Sequence, residues 1–172
     1  MTTAEIITKL QQAFAELENT AETIPEAFFF QPPTDGKWSV ADNLEHLFLS
    51  VKPLAGLFGK TALMQANWGR NEKGSRSYET LVAIYLDKLK TAAVTNNPFG
   101  PLQKQEAPSK EKLLSSLHSI HQLFVERAAL LSEEELDGLQ APHPLLGLLT
   151  CREFLYFTHY HTSHHLKTII SL

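Results

Sequence analysis

The sequence lacks most of the features that mark secreted and membrane proteins. Its single cysteine, Cys151, excludes an internal disulfide framework and is typical of a protein kept in a reducing compartment. No run of about eighteen or more apolar residues is present, so the sequence predicts no membrane-spanning helix. The first residues have neither the basic start nor the apolar centre of a signal peptide. We therefore expect a cytoplasmic protein without a membrane partner.

Concentrated positive charge is also missing. The formal net charge is −4 with the histidines neutral, and the lysines and arginines are scattered singly, mostly beside acidic residues. Domains that bind DNA or RNA usually carry a basic patch or stripe. The charge pattern therefore predicts that nucleic acid is not a partner.

Helical patterns account for most of the chain. Its 172 residues, 43% of them hydrophobic, are enough to bury a core as one domain over residues 1–172. Apolar residues recur at spacings of three and four, as in amphipathic helices, and no segment shows a convincing strand alternation. The pattern predicts long helices at residues 3–20, 40–68, 109–131 and 151–171, with shorter ones at 21–30, 78–93 and after Ser132.

Capping residues and prolines predict where these helices begin and end. Ser39 and Thr150, each with an acidic residue three positions on, are predicted N-caps, and Ser109 is a third. Pro53 falls inside the second long helix and should kink or break it. Residues 138–150 hold two prolines and two glycines and are predicted to form a loop. The connection between the second and third long helices exceeds what adjacent antiparallel helices need. We therefore predict an all-α, antiparallel four-helix bundle with a long crossover that contains an extra helix.

The last predicted helix concentrates histidine, because four of the chain's eight histidines lie between residues 159 and 165. A helix advances about 100° per residue, so His161 and His165 share one face while His159 and His164 lie on others. Two imidazoles four residues apart can chelate one metal ion. The same pair is also compatible with a solvated histidine-rich helix end, and the spacing alone leaves both interpretations open.

A tight metal site needs a third ligand from another helix. His46 of the second helix borders an apolar stripe and could point into the bundle, and His121 of the third helix is a rival on an apolar face. His143, between two prolines in the predicted loop, is a weaker candidate. The HExxH pattern of zinc proteases is absent because residue 162 is threonine, which excludes protease chemistry by that route.

Three segments carry a resemblance to a known family: "WSVADNLEHLFLS", "RSYETLVAIYL" and "HPLLGLLTCREFLYFTHYHTSHHLKTI". In this order they resemble the DinB-like superfamily of bacterial proteins, over nearly the whole chain. The resemblance implies a four-helix bundle that holds a divalent metal, nickel or zinc in many members, through three histidines. It assigns these ligands to His46, His161 and His165. Thr168 stands where the family usually has glutamine and Lys167 where glycine is common, and neither change removes a ligand.

The resemblance also implies a range of activities. Some relatives are metal-dependent hydrolases and others are thiol-dependent transferases, so we expect a small-molecule substrate and, for transfer, a low-molecular-weight thiol. A homodimer is a further expectation. The alternative is a non-catalytic bundle, a binding or stress-response protein in which the metal is structural or vestigial. Cys151 lies about 15 Å along the helix axis from His161 and is expected to be an inert, packed thiol.

Overall fold

Four long helices form the framework of the protein. The computed structural model describes residues 1–34, 36–91 and 108–172. Its helices are α1 (Thr3–Thr23), α2 (Glu26–Phe29), α3 (Val40–Phe58), α4 (Thr61–Trp68), α5 (Tyr78–Thr91), α6 (Lys110–Ala129), α7 (Glu133–Gly138) and α8 (Cys151–Ile170). Two short strands, β1 (Gln140–His143) and β2 (Gly147–Thr150), pair antiparallel before α8.

The long helices begin at the predicted N-caps. The hydroxyls of Ser39, Ser109 and Thr150 each accept a hydrogen bond from a backbone N–H in the first turn of α3, α6 and α8. Asp42 and Glu153 complete capping boxes by accepting the backbone N–H of Ser39 and Thr150. Each such cap contributes about 1 kcal/mol, because it satisfies a backbone donor that the helix leaves unpaired.

Helices α1, α3, α6 and α8 pack as a four-helix bundle in which α1 and α8 run in one direction and α3 and α6 in the other. Both α1 and α3 pack against α6 and α8, so α1 and α3 lie on a diagonal. Asn43 of α3 contacts His165, while His46, one turn later in α3, contacts His161, one turn earlier in α8. Helices α3 and α8 therefore run antiparallel. Helix α5 of the crossover packs on the outside of α8. The predicted fold class, an all-α four-helix bundle, is confirmed, whereas most of the connection between α5 and α6 lies outside the described residues.

The predicted break at Pro53 is wrong. Helix α3 continues through Pro53 and ends at Phe58, and the chain then bends by 95° into α4. Proline removes one N–H donor from the helix, while Val51 and Ala55 on either side of it are buried in the core. The packing of those neighbours holds the helix together across the missing hydrogen bond.

The loop predicted for residues 138–150 contains the strand pair instead. His143 pairs with Gly147, and the three residues between them form the turn. Gly147 has a φ of 73°, a left-handed conformation that glycine adopts without strain and that closes three-residue hairpins. With four residues in each strand and prolines on both sides of His143, no alternation long enough to predict a strand exists in the sequence.

Among the described residues, no single helix has the length and apolar character needed to cross a membrane. In the same residues, only α3 and α4 taken together have this length and apolar character, and a bend of 95° separates them.

A polar layer divides the hydrophobic core into two clusters. On α6, His121 lies between Leu117 of one cluster and Phe124 of the other. On α8, a run of buried polar residues separates Phe157 of the first cluster from Leu166 of the second. Since buried polar groups cost free energy unless they have partners, this layer is where function is expected. Its buried side chains on α3, α6 and α8 are His46, His121, Thr158, His161, Thr162 and His165.

Candidate metal centre

Three histidines from two helices meet in the polar layer. His46 Nε2 lies 2.9 Å from His161 Nε2, although 115 residues separate them in sequence. His165 Nε2 lies 3.1 Å from the same His161 atom. All three residues are buried, with 5%, 5% and 8% of their surface exposed. The structure thus brings together the three residues that the resemblance assigned as ligands.

The spacing of these nitrogens fits a single metal ion. Metal–imidazole bonds of about 2.0–2.1 Å place two ligand nitrogens about 2.9 Å apart at a right angle and about 3.3 Å apart at the tetrahedral angle. The two measured separations, 2.9 and 3.1 Å, lie in this range. Among the described residues, His46, His161 and His165 are the one group of three or more histidine, cysteine or acidic residues whose ligand atoms all lie within 4.8 Å of one another.

Asn43 holds His165 in the form that binds metal. Its Nδ2 donates to the carbonyl of Ser39 at 2.8 Å, which directs its Oδ1 toward His165. His165 Nδ1 donates to that oxygen at 2.7 Å. With the proton on Nδ1, the lone pair of His165 is on Nε2, the atom that faces the other two rings. Such an outer hydrogen bond orients a ligand imidazole and raises its basicity.

Burial keeps these imidazoles neutral. It lowers the pKa of His165 to about 3, with smaller contributions from the positive charge that His46 and His164 would carry. Burial, together with the neighbouring histidines, holds the pKa of His161 well below its ordinary value. Neutral imidazole is the form that coordinates metals, so at neutral pH no proton has to leave these two rings before an ion binds.

Aromatic side chains restrict the rings from two sides. Trp38 stacks on His165 with ring centroids 6.0 Å apart and also lies 5.1 Å from His46. Phe157 stacks on His161 at 5.0 Å. Sequence reasoning did not predict these contacts, because Trp38 precedes α3 and nothing in its spacing relates it to α8.

The other two histidines between residues 159 and 165, His159 and His164, lie on other faces of α8, as helix geometry predicted. His159 Nδ1 is 2.9 Å from the hydroxyl of Tyr78 on α5. His164 is exposed and stacks on Tyr160. Thr168, where the family usually has glutamine, donates to the backbone carbonyl of His164 and so stays on its own helix.

His121, the rival ligand, belongs to a different cluster between α1 and α6. Its Nδ1 lies 2.7 Å from one carboxylate oxygen of Glu18, and His118 Nδ1 lies 2.7 Å from the other. The ring of His121 stacks on Phe14, with centroids 3.7 Å apart. The cluster borders a cavity of about 320 Å³ at the surface. The structure therefore separates His121 from the three-histidine group.

His143, the weakest candidate, also lies outside the group. Its Nδ1 accepts hydrogen bonds from the backbone N–H groups of Leu145 and Leu146, at 3.1 and 3.2 Å. Burial lowers its pKa to about 4, so the ring is neutral at neutral pH. It packs edge-on against Phe157, the residue that stacks on His161.

Asn43 and Ser50 lie on the same face of α3 as His46, three residues before it and four residues after it. Asn43 contacts His165, whereas the Ser50 hydroxyl donates to the backbone carbonyl of His46 on its own helix. Cys151 is fully buried, and burial raises the pKa of its thiol to about 12, in agreement with an inert packed residue.

Comparison with known proteins agrees with this architecture. The model of the DinB superfamily matches residues 9–169. The solved structure of TT2238, a four-helix bundle protein, is similar at 18% identity with a TM-score of 0.61, over 99% of this chain and 100% of that one. No curated protein sequence matches the chain.

Two other solved structures are similar at comparable levels. YfiT from Bacillus subtilis, described as a probable metal-dependent hydrolase with an unusual four-helix bundle topology, is 16% identical with a TM-score of 0.59, over 99% of this chain and 87% of YfiT. The colibactin self-resistance protein ClbS, solved in complex with a dsDNA, is 18% identical with a TM-score of 0.57, over 99% of this chain and 94% of ClbS. At these identities the likeness shows the fold alone.

Proposed function

The chain belongs to the DinB superfamily, and from this premise we propose that it is a metal-dependent hydrolase of a small molecule. His46, His161 and His165 would hold the divalent ion, with nickel or zinc as the expected metal. The observation that carries the proposal is the convergence of three buried Nε2 atoms, two pairs of them 2.9 and 3.1 Å apart. The description of YfiT as a probable metal-dependent hydrolase supports the same class of activity.

A divalent ion with three imidazole ligands keeps open positions, where it can polarise a substrate oxygen and activate water for hydrolysis. The protein's own residues prepare that chemistry. Asn43 fixes the proton of His165 on Nδ1, so Nε2 is free to bind. Trp38 and Phe157 cover two of the imidazoles and exclude water from those faces. Because the rings are buried and neutral, the site can take up a cation at neutral pH.

The metal assignment is tested by metal content. The full chain, purified without a histidine tag under metal-replete conditions, should contain one divalent ion per chain by elemental analysis. His46→Ala, His161→Ala and His165→Ala should each lose more than about 100-fold in metal affinity, since losing even an outer hydrogen bond costs 10- to 100-fold. His121→Ala is the matched control and should keep its ion. A wild-type protein without stoichiometric metal would overturn the proposal.

The reaction class is tested with the metal-loaded protein. Hydrolysis of p-nitrophenyl acetate and related small esters should depend on the three histidines and should need no added thiol. Turnover only with a low-molecular-weight thiol, for example glutathione with 1-chloro-2,4-dinitrobenzene, would assign thiol-dependent transfer instead. Tight metal binding with no turnover of any of these compounds would favour the non-catalytic alternative, in which the ion is structural or vestigial.

The remaining expectations are part of the same proposal. We expect one domain over residues 1–172, a bacterial and cytoplasmic origin, and a homodimer, which light scattering would test. We also expect no binding of nucleic acid, because the net charge is −4. ClbS was solved with a dsDNA, so fluorescence anisotropy with a duplex oligonucleotide is the necessary measurement. Binding at physiological salt would overturn this last expectation.

A further inference from the structure

The hairpin before α8 presents one histidine beside the metal centre. His143 is the last residue of β1 and packs edge-on against Phe157, with ring centroids 4.4 Å apart. Phe157 in turn stacks on His161 at 5.0 Å. The three rings therefore form a continuous series of contacts from the hairpin to a proposed metal ligand, edge-on at His143 and stacked at His161. His143 is also close enough that its positive charge would contribute to lowering the pKa of His161.

The turn of the hairpin determines which nitrogen of His143 carries the proton. Two backbone N–H groups, from Leu145 and Leu146, donate to Nδ1. An atom that accepts two hydrogen bonds cannot be protonated, so the neutral ring must carry its proton on Nε2. Burial lowers the pKa of His143 to about 4, which keeps the ring in this neutral form at neutral pH.

The Nε2–H group of His143 remains available as a donor. No group among the described residues accepts a hydrogen bond from it, since the only contacts of the ring nitrogens are those at Nδ1. It is not among the buried unpartnered atoms of these residues, so it reaches solvent. A donor with a fixed direction, open to solvent and one aromatic ring away from the site, is suited to bind a small molecule.

We infer that His143 is a substrate-binding residue whose Nε2–H donates a hydrogen bond to a carbonyl or carboxylate oxygen of a small molecule held at the three-histidine site. The inference rests on the proposed function for the position of that molecule. On this inference the hairpin holds the Nε2–H donor in position. The expected substrates are compounds that carry an oxygen acceptor next to the group that binds the metal ion.

The first experiment measures the tautomer and needs neither metal nor substrate. Long-range proton–nitrogen NMR correlations of the full chain at pH 7 should show His143 with a protonated Nε2 and an unprotonated Nδ1. A protonated Nδ1 would overturn the inference whatever the metal content of the protein.

The second experiment measures binding of acetohydroxamate, a small carbonyl chelator, to the cobalt-loaded full chain through the visible bands of the ion. His143→Asn is the informative variant, because the Asn carbonyl can accept the two turn N–H groups at the place of Nδ1 but supplies no donor at the place of Nε2. It should keep its metal and bind the probe roughly 3- to 10-fold more weakly, the effect of one neutral hydrogen bond. His143→Gln, whose amide reaches the place of Nε2, should recover part of that loss.

The exposed His164 supplies the matched control, and His164→Asn should bind the probe as the wild type does. Unchanged probe affinity in His143→Asn, with metal still bound, would overturn this inference and leave the proposed function standing. A wild-type protein that binds no cobalt, or binds cobalt but not the probe, would overturn the proposed function, while the NMR measurement would still decide the tautomer.

Discussion

Two histidine clusters in the same bundle contrast in chemistry. The three-histidine group joins α3 to α8, and the cluster of Glu18, His118 and His121 joins α1 to α6. Both connect antiparallel helices through imidazole nitrogens with contacts of 2.7 to 3.1 Å. In the second cluster a carboxylate accepts both imidazole protons. In the first, the neighbour of His165 is an amide, and the rings face one another.

The difference shows how the partner decides what a buried histidine can do. A carboxylate bound to two imidazole N–H groups satisfies its own acceptors and stabilises the fold, while His121 Nε2 on the far side of the ring is buried without a partner among the described residues. Three Nε2 atoms that converge bring lone pairs together, and one cation placed between them satisfies all three. Burial and spacing alone would not have separated the two clusters, because His46, His121, His161 and His165 are all almost completely buried.

Outside the three histidines themselves, the largest effect is expected from changing the amide that orients His165. Asn43→Ala removes the acceptor of the His165 Nδ1–H, so metal affinity should fall 10- to 100-fold. Asn43→Asp keeps an acceptor at the same place and should lose much less. Ser50→Ala is the control, because the Ser50 hydroxyl lies on the same face of α3 but donates to the backbone carbonyl of His46. This variant should bind the metal as the wild type does. Competition with a chromophoric chelator measures all three; equal affinity in Asn43→Ala would contradict the role assigned to the amide.

A smaller effect, on stability rather than on metal, is expected in the other cluster. Glu18→Gln replaces a charged acceptor of two imidazole protons by a neutral one and should lower the free energy of unfolding by about 1–2 kcal/mol. Metal content should not change, because Glu18 is not part of the three-histidine group. Urea unfolding and elemental analysis test the two statements together. Loss of metal in this variant would mean that the clusters are not independent.

In the metal-free protein, the carboxylate of the second cluster should respond to a lower range of pH than the buried histidines do. The lowered pKa values of His161 and His165 mean that the unfolded chain binds more protons below about pH 6.5, so stability falls as pH falls from there toward about 3. Burial alone would raise the pKa of Glu18, but hydrogen bonds from His121 and His118 outweigh it and lower the pKa, so its contribution is lost only below about pH 4.5. Unfolding curves from pH 7 to 4 should therefore decline before Glu18 titrates. Burial also lowers the pKa of His121 and Glu18 opposes that shift, so Glu18→Gln should change the slope above about pH 4.5 as well as below it. Saturating zinc should raise the whole curve between pH 6.5 and 5 without changing its slope, because His161 and His165 are already neutral in the folded protein. A curve that zinc does not raise would contradict the assignment.

The smallest effect is expected from changing His164, the exposed histidine of α8. His164 is exposed and supplies no ligand atom to either cluster, although its ring contacts that of His165 edge-on, so His164→Ala should change the free energy of unfolding by less than about 0.5 kcal/mol and leave metal binding intact. Thermal unfolding with and without zinc measures both quantities. A large loss of zinc-induced stabilisation in this variant would show that the face assignment on α8 is wrong.

Much of this arrangement could be predicted from the sequence, and the failures have physical causes. Helix periodicity placed His161 and His165 on one face, since that geometry is local. Nothing local relates His46 to α8, so only the resemblance to a family supplied the third ligand, and His121 remained a rival until Glu18 was seen beside it. The hairpin was missed because each strand has only four residues, and β1 contains one proline and is followed directly by another. The break at Pro53 was wrongly expected because the packing of neighbouring residues is not visible in a proline's position.

The ligands proposed for the ion lie on α3 and α8, two helices that are far apart in the chain. This arrangement would make the amount of folded protein depend on the concentration of the metal. No segment shorter than the stretch from α3 to α8 carries all three imidazoles, so an ion that binds the folded chain favours it over the unfolded one. By mass action, free metal at 100 times its dissociation constant would add about 2.7 kcal/mol to the stability of the protein. In a cell starved of the metal, the same protein would unfold more often and would be degraded faster. If the proposed ion binds, the steady-state level of the protein would then follow the concentration of that ion.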